Sequence, residues 1–153
     1  IGNGALALLQ HPTQLHLLQQ QPALIKGAVE ELLRYDSPVQ MTSRQVIEAM
    51  EMGGQVLQPG QQVSFMLGAA NRDPAVFVNP NELDITRKNN PHLAFGSGIH
   101  YCLGAPLARL EMQIAFETLL RRLPTLRLAI PETQVVYNAG FVIRGLKALP
   151  VAW

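Results

Sequence analysis

The sequence predicts a mainly helical α+β chain carrying small antiparallel sheets. Apolar residues recur at helical spacing in the first 35 positions and again over 104–123. Short runs such as Gln62-Val63-Ser64-Phe65, bracketed by Gly53-Gly54 and Pro59-Gly60, read as strands and turns. Between these regions lies a stretch dense in proline and asparagine that keeps no period. The chain has 153 residues, the length of one domain. Hydrophobic residues at 48% against charged residues at 15% supply enough apolar surface for a core. A net charge of +1 gives no reason to expect a nucleic-acid partner. A single cysteine excludes an internal disulfide and suits a reducing, cytoplasmic compartment. No apolar run reaches the roughly 18 residues of a membrane span, so no membrane partner is expected. No charged-then-apolar leader predicts secretion. The opening Ile1-Gly2-Asn3-Gly4 has neither a methionine nor a cap and reads as the interior of something longer.

Residues 1–35 are expected to be helices. Leu6, Leu9, Leu15, Leu17 and Leu18 supply apolar positions, and Pro12 divides them, because proline removes a donor and clashes with the preceding turn. One helix should end before Pro12 and another run from about Thr13 to Gln20. His11 and His16 are expected to face solvent. Pro22 suits the first turn of a third helix ending at Tyr35. Ile25, Ala28, Val29, Leu32 and Leu33 form its apolar stripe, and Glu31 and Arg34 are neighbours beside it. On a surface, such a pair would contribute about 0.2–0.5 kcal/mol.

Residues 36–67 are expected to form a β meander. Asp36-Ser37-Pro38 ends the helix, since a residue before proline avoids the α region. Val39 to Glu48 reads as extended and carries Arg44. Gln55–Leu57 and Gln62–Met66 read as short strands. Residues 68–94 are expected to be coil after one helical turn at Gly68-Ala69-Ala70. So long a structureless run is unusual and often functional.

Residues 95–123 comprise a glycine-rich loop holding the lone Cys102, then a long helix. Pro106 suits that helix's first turn. Leu103, Leu107, Leu110 and Ile114, widened by Ala115 and Leu119, are predicted to be its core face, with Arg109, Arg121 and Arg122 outward. Residues 124–153 are expected to be a C-terminal β region, with strands at Leu126–Leu128, Val135–Tyr137 and Leu149–Val151. Phe141-Val142-Ile143 lies in a turn there and reads as core packing or as a pocket wall.

The chemistry concentrates at Cys102. Glycines at 96, 98 and 104 permit positive φ and close approach of backbone to a bulky ligand. A sulfur just before a helix faces free N–H groups and the positive end of the dipole, a setting that favours a charged, accessible thiolate. Such a cysteine can bind a metal or attack an electrophile. Only His100 lies close to it, too few ligands for structural zinc. A cysteine hydrolase would need a base and an orienting group around the sulfur, and no separate cysteine–histidine signature supplies them.

Phe95-Gly96-x-Gly98-x-His100-x-Cys102-x-Gly104 resembles the haem-thiolate loop of the cytochromes P450 in their bacterial soluble form. Glu31-Leu32-Leu33-Arg34 is similar to the family's Glu-x-x-Arg signature, and Leu107-Ala108-Arg109-x-Glu111 also resembles bacterial members. The resemblance covers nearly the whole chain but only the C-terminal portion of the P450 fold. It implies haem b (iron protoporphyrin IX), with Cys102 as axial iron ligand. Phe95, Gly96, Gly98, His100, Leu103 and Gly104 would line the cofactor, and His100 and Arg44 would meet its propionates. Glu31, Arg34 and a third partner, Arg87, would form a buried structural cluster. Pro38, Val39, Phe141 and Val142 would border the substrate pocket. Arg109 reads either as a solvated arginine or as a docking contact for an acidic, ferredoxin-like electron donor. The implied activity is a monooxygenase that hydroxylates an apolar small molecule using dioxygen and a redox partner. The family's acid–alcohol pair, which delivers protons, has no counterpart in these residues. The rival expectation is a shortened, non-catalytic scaffold with weak or no haem binding, its exposed apolar surface leading to self-association.

Overall fold

The computed structural model describes residues 1–140 and 142–153. Three helices make the first layer: α1 (Gly2–Gln10), α2 (Pro12–Gln20) and α3 (Ile25–Tyr35). Pro12 occupies the first turn of α2, so the break falls where its missing N–H does no harm. His11 at the junction is half-buried, not solvent-facing as expected. Its Nδ1 lies 2.7 Å from the Ala7 carbonyl, and its ring meets Tyr35 edge-on. His16 is exposed. The helix expected over 22–35 is a single 3₁₀ turn at Pro22–Leu24 before α3. All five apolar positions predicted for α3 are buried.

The β region corrects the expected meander. Strand β1 (Thr42–Gln45) pairs antiparallel with β4 (Gln62–Phe65), in register Thr42↔Phe65 to Gln45↔Gln62. Between them, β2 (Met50–Met52) and β3 (Gln55–Leu57) form a separate hairpin. Gly53 and Gly54 close it with φ of 57° and 76°, the double left-handed geometry of a tight two-residue turn. That local closure takes β2 and β3 out of the sequential ladder. Strand β2 was missed because Met50-Glu51-Met52 is only three residues long, too short for its alternation to stand out, and all three residues are exposed.

One helical turn, α4 (Leu67–Ala70), leads into coil without regular structure from Pro74 to Leu93. The long helix α5 (Ala105–Arg122) follows the cysteine loop and packs on α3. Strands β5 (Arg127–Leu128) and β6 (Val151–Ala152) pair at the end of the chain. Val135–Tyr137 is no strand: a 3₁₀ turn at Glu132–Gln134 precedes it, and only Tyr137 makes a bridge, to Leu146.

The core lies between α1, α3 and α5, with Leu8, Val29, Leu32 and Phe116 at its centre and Leu83 and Ile85 of the coil sealing one side. The predicted face of α5 is turned away from the core over its first half, while Ala115 and Leu119 are half-buried and Arg121 and Arg122 face outward as expected. Leu107, Leu110 and Ile114 are 60%, 53% and 55% exposed, while Ala105, Met112, Phe116 and Leu120 are buried. Arg109 turns inward toward α3. Among the described residues no helix is long and apolar enough to cross a membrane.

Candidate functional site

The cysteine loop is shaped by its backbone. Gly96 and Gly98 take φ of 74° and 65°, which L side chains rarely adopt. The Gly96 N–H donates to Leu93 O (2.9 Å), and Tyr101 N–H to Gly98 O (3.0 Å) across a 3₁₀ turn at Gly98–His100. The Cys102 N–H donates to Phe95 O (3.0 Å), closing the loop on itself. Cys102 is exposed and stands two residues before Gly104, the N-cap of α5.

The exposed thiol opens into a groove of about 720 Å³. It is lined by Phe95, Gly96, Gly98, Ile99, His100 and Cys102 of the loop and by Pro38, Val39, Arg44, Phe65, Met66 and Leu67 of the β region and the start of α4. Arg44 Nη1 donates to Thr42 Oγ1 (3.1 Å) and Ser43 O (2.7 Å) on its own strand. Leu103 and Gly104 leave the groove for α5, and Leu103 is 99% exposed. Val142 is set beside Val39: Gln40 N–H donates to Val142 O (2.8 Å), and Val39 bridges Ile143. Phe141 lies outside the described residues.

Behind the loop, a polar cluster anchors α3 to the coil. Arg34 and Glu31 are both fully buried. Arg34 Nε and Nη2 donate to the two Glu31 carboxylate oxygens at 2.8 Å each. Its remaining N–H groups reach the carbonyls of Asn71 (2.8 Å), Pro80 (2.8 Å) and Glu82 (3.0 Å). Glu31 also accepts from Arg87 Nε (3.0 Å), Asn90 Nδ2 (3.2 Å) and the Asp84 N–H (3.0 Å). Buried charge is tolerable only with this degree of pairing. Asn71, which falls in the stretch the sequence reads as coil, is wholly buried. Its Nδ2 donates to Ser37 Oγ (2.7 Å), and its Oδ1 accepts the Leu93 N–H (2.6 Å), so it joins the helix end to the start of the loop.

A second cluster, also missed by sequence, centres on Glu30. Arg109 grips its two oxygens through Nε (2.7 Å) and Nη2 (2.8 Å), a bidentate fork. His92 contributes Nε2 at 3.0 Å. Because His92 Nδ1 accepts the Ala94 N–H, Nε2 carries the ring hydrogen and donates it to Glu30. Burial alone would raise the Glu30 carboxyl. Hydrogen bonds from His92 and Arg109, with the Arg109 charge, outweigh burial and hold it at about 2. The Arg109 guanidinium is in turn pushed up by its hydrogen bond to Glu30. The Glu30-Glu31 doublet was the one sequence signal available: two adjacent carboxylates on a helix face different neighbours and call for two cationic partners.

A cytochrome P450 family model matches residues 10–136. The chain is 54% identical over 153 residues to the "Biotin biosynthesis cytochrome P450" of Bacillus subtilis (strain 168), covering 100% of this chain and 38% of that protein. It is 48% identical over 153 residues to "Polyketide biosynthesis cytochrome P450 PksS" of the same organism, covering 99% of this chain and 38% of that protein. Among solved structures it is similar to P450BioI in complex with hexadec-9Z-enoic acid ligated acyl carrier protein. That match has a TM-score of 0.96 and 53% identity, covering 100% of this chain and 39% of the other. The chain thus spans under two-fifths of the length of these relatives.

Proposed function

This chain belongs to the cytochrome P450 family, and on that premise we propose that the Cys102 groove is the thiolate side of a haem monooxygenase site. The observation that carries this reading is an exposed sulfur lining a largely apolar groove, beside glycines that leave room for a flat ligand. A Cβ built on Gly98 would meet no atom within 4 Å, so this backbone faces open space. A Cβ on Gly104 would sit 3.8 Å from the Cys102 sulfur. The donor set fits the group: one soft thiolate for iron, and cationic or polar Arg44 and His100 on the same surface for propionates.

When bound, haem supplies dioxygen activation and the oxidising power. Cys102 would hold the iron through its sulfur. Phe95, Gly96 and Gly98 would line the cofactor, with Leu103 and Gly104 carrying the loop into α5. Arg44 and His100 would pair with its propionates. Pro38 and Val39, with Val142 beside them, would form a wall against an apolar substrate and keep water from it. Glu31, Arg34 and Arg87 hold the scaffold that presents the loop. One solved relative holds an acyl chain on acyl carrier protein, which makes a long acyl group a first substrate to try. Electrons would come from a ferredoxin-like donor in the cytoplasm.

The carbon monoxide difference spectrum of the reduced, haem-reconstituted protein tests the assignment. A thiolate-type Soret band that disappears in Cys102→Ser is expected. A band retained in that variant rejects Cys102 as the ligand, and no thiolate-type band in the wild-type protein leaves the scaffold reading.

A further inference from the structure

Arg109 touches both limbs of the cysteine loop at once. Its Nη1 donates to Tyr101 Oη at 2.6 Å, one residue before Cys102. Its Cζ lies 4.7 Å from the centre of the Phe95 ring, at the loop's other end. Those two residues also meet edge-on, with ring centroids 6.4 Å apart. The opposite side of the same guanidinium forks onto Glu30 of α3. Phe95 is moreover the residue whose carbonyl takes the Cys102 N–H. One rigid planar group therefore fixes the separation of the limbs and ties both to the helix layer.

We propose that Glu30 and Arg109 are positioning residues for the Cys102 sulfur, with Arg109 clamping Phe95 and Tyr101 together against α3. The proposal rests on Cys102 being the iron ligand. Geometry around a metal-bound ligand tunes the metal through exactly such outer contacts: the neighbours that hold a ligand in place set how it donates. The clamp needs a fork and a flat stacking face, not merely a positive charge, so lysine cannot replace Arg109. A partner-docking role needs only the charge, and lysine would preserve it.

The test compares Arg109→Lys, Glu30→Gln and Tyr101→Phe with wild type in the haem-loaded protein. Amide hydrogen exchange is followed at Gly96, Tyr101 and Cys102, with Leu17 and Leu18 of α2 as internal references, and the midpoint potential of the iron is measured. The expected result for Arg109→Lys and Glu30→Gln is exchange about tenfold faster or more at the three loop amides, unchanged exchange in α2, and a displaced potential. Tyr101→Phe keeps the ring and loses one hydrogen bond, so it should show the same changes in smaller degree even if the other variants fold poorly. Wild-type exchange and potential in Arg109→Lys overturn the clamp, whether or not reduction by the donor slows. Faster exchange throughout α2 as well as the loop also overturns it, since that marks general destabilisation. A thiolate-type spectrum surviving Cys102→Ser overturns the ligand assignment beneath it. If that spectrum is lost in Cys102→Ser while Arg109→Lys behaves as wild type, only the clamp fails.

Discussion

Every N–H of the Arg34 guanidinium has an acceptor, and three of those acceptors are backbone carbonyls of Asn71, Pro80 and Glu82. Its partner Glu31 gathers donors from Arg34, Arg87, Asn90 and the Asp84 backbone. Arg34→Ala should therefore lose about 3–5 kcal/mol, because it removes the bidentate partner of a fully buried carboxylate, leaves Arg87 as the remaining cation on it, and strands three backbone carbonyls. That corresponds to a melting temperature lower by roughly 6–20 °C. Calorimetry showing a shift within a degree or two of wild type would mean that the cluster does not stabilise the fold. Glu30 behaves differently because it remains partly in solvent, which keeps its share of the stability modest. Its folded-state carboxyl, at about 2, lies below the ordinary 4.5. The folded protein thus binds this proton less tightly than the unfolded chain does. The resulting stabilisation is complete above the unfolded value and is lost as pH falls from about 4.5 toward 2. His92 and Arg109 are the groups that face it. The difference in urea midpoint between wild type and Glu30→Gln should accordingly shrink across that acid range. A difference that stays constant from pH 7 to pH 3 would show that the carboxylate's charge contributes nothing.

Helix α5 shows how a correct element can carry a wrong face. Leu103, Leu107, Leu110 and Ile114 recur as regularly as Ala105, Met112, Phe116 and Leu120 do. Hydrophobic period says that a helix is present; where two apolar stripes share it, period does not say which one meets the core. The partner decides, and here the deciding residue is on α1. A Cβ built on Gly4 would lie 2.9 Å from Phe116 Cζ and 3.3 Å from Leu32 Cδ1, so α1 passes against these side chains with no room for a methyl group. Phe116 is fully buried and has nowhere to retreat. Helix propensity alone favours Gly4→Ala by about 1 kcal/mol. Overpacking costs about 1–3 kcal/mol, so the net expectation is a loss of about 1 kcal/mol, read from urea unfolding. Adding Phe116→Leu to Gly4→Ala should relieve the crowding. Equal or greater stability in Gly4→Ala alone would show that the interface gives way freely.

At the scale of the whole molecule, what could be read in advance was what lies close together in the chain. The cysteine loop occupies ten consecutive residues and Glu31-x-x-Arg34 a single turn, so their chemistry is visible without a fold. Glu30 and Arg109 are 79 residues apart, and Asn71 reaches back to Ser37 and forward to Leu93, so only the packing of α3, coil and α5 reveals them. The same packing leaves the second stripe of α5 in water. Leu107, Leu110 and Ile114 are already nearly half covered, so covering them fully would gain about half of the ~1.5–3 kcal/mol that full burial gives each side chain, against several kcal/mol lost in bringing two molecules together. On the 153-residue chain by itself this predicts weak, concentration-dependent association through α5. Sedimentation velocity over a range of concentrations should show larger species growing with concentration. Leu107→Gln combined with Ile114→Gln should return the chain toward monomer, since both positions lie off the buried face and their replacement leaves the core intact. Association of the double variant indistinguishable from wild type would place the contact elsewhere on the molecule.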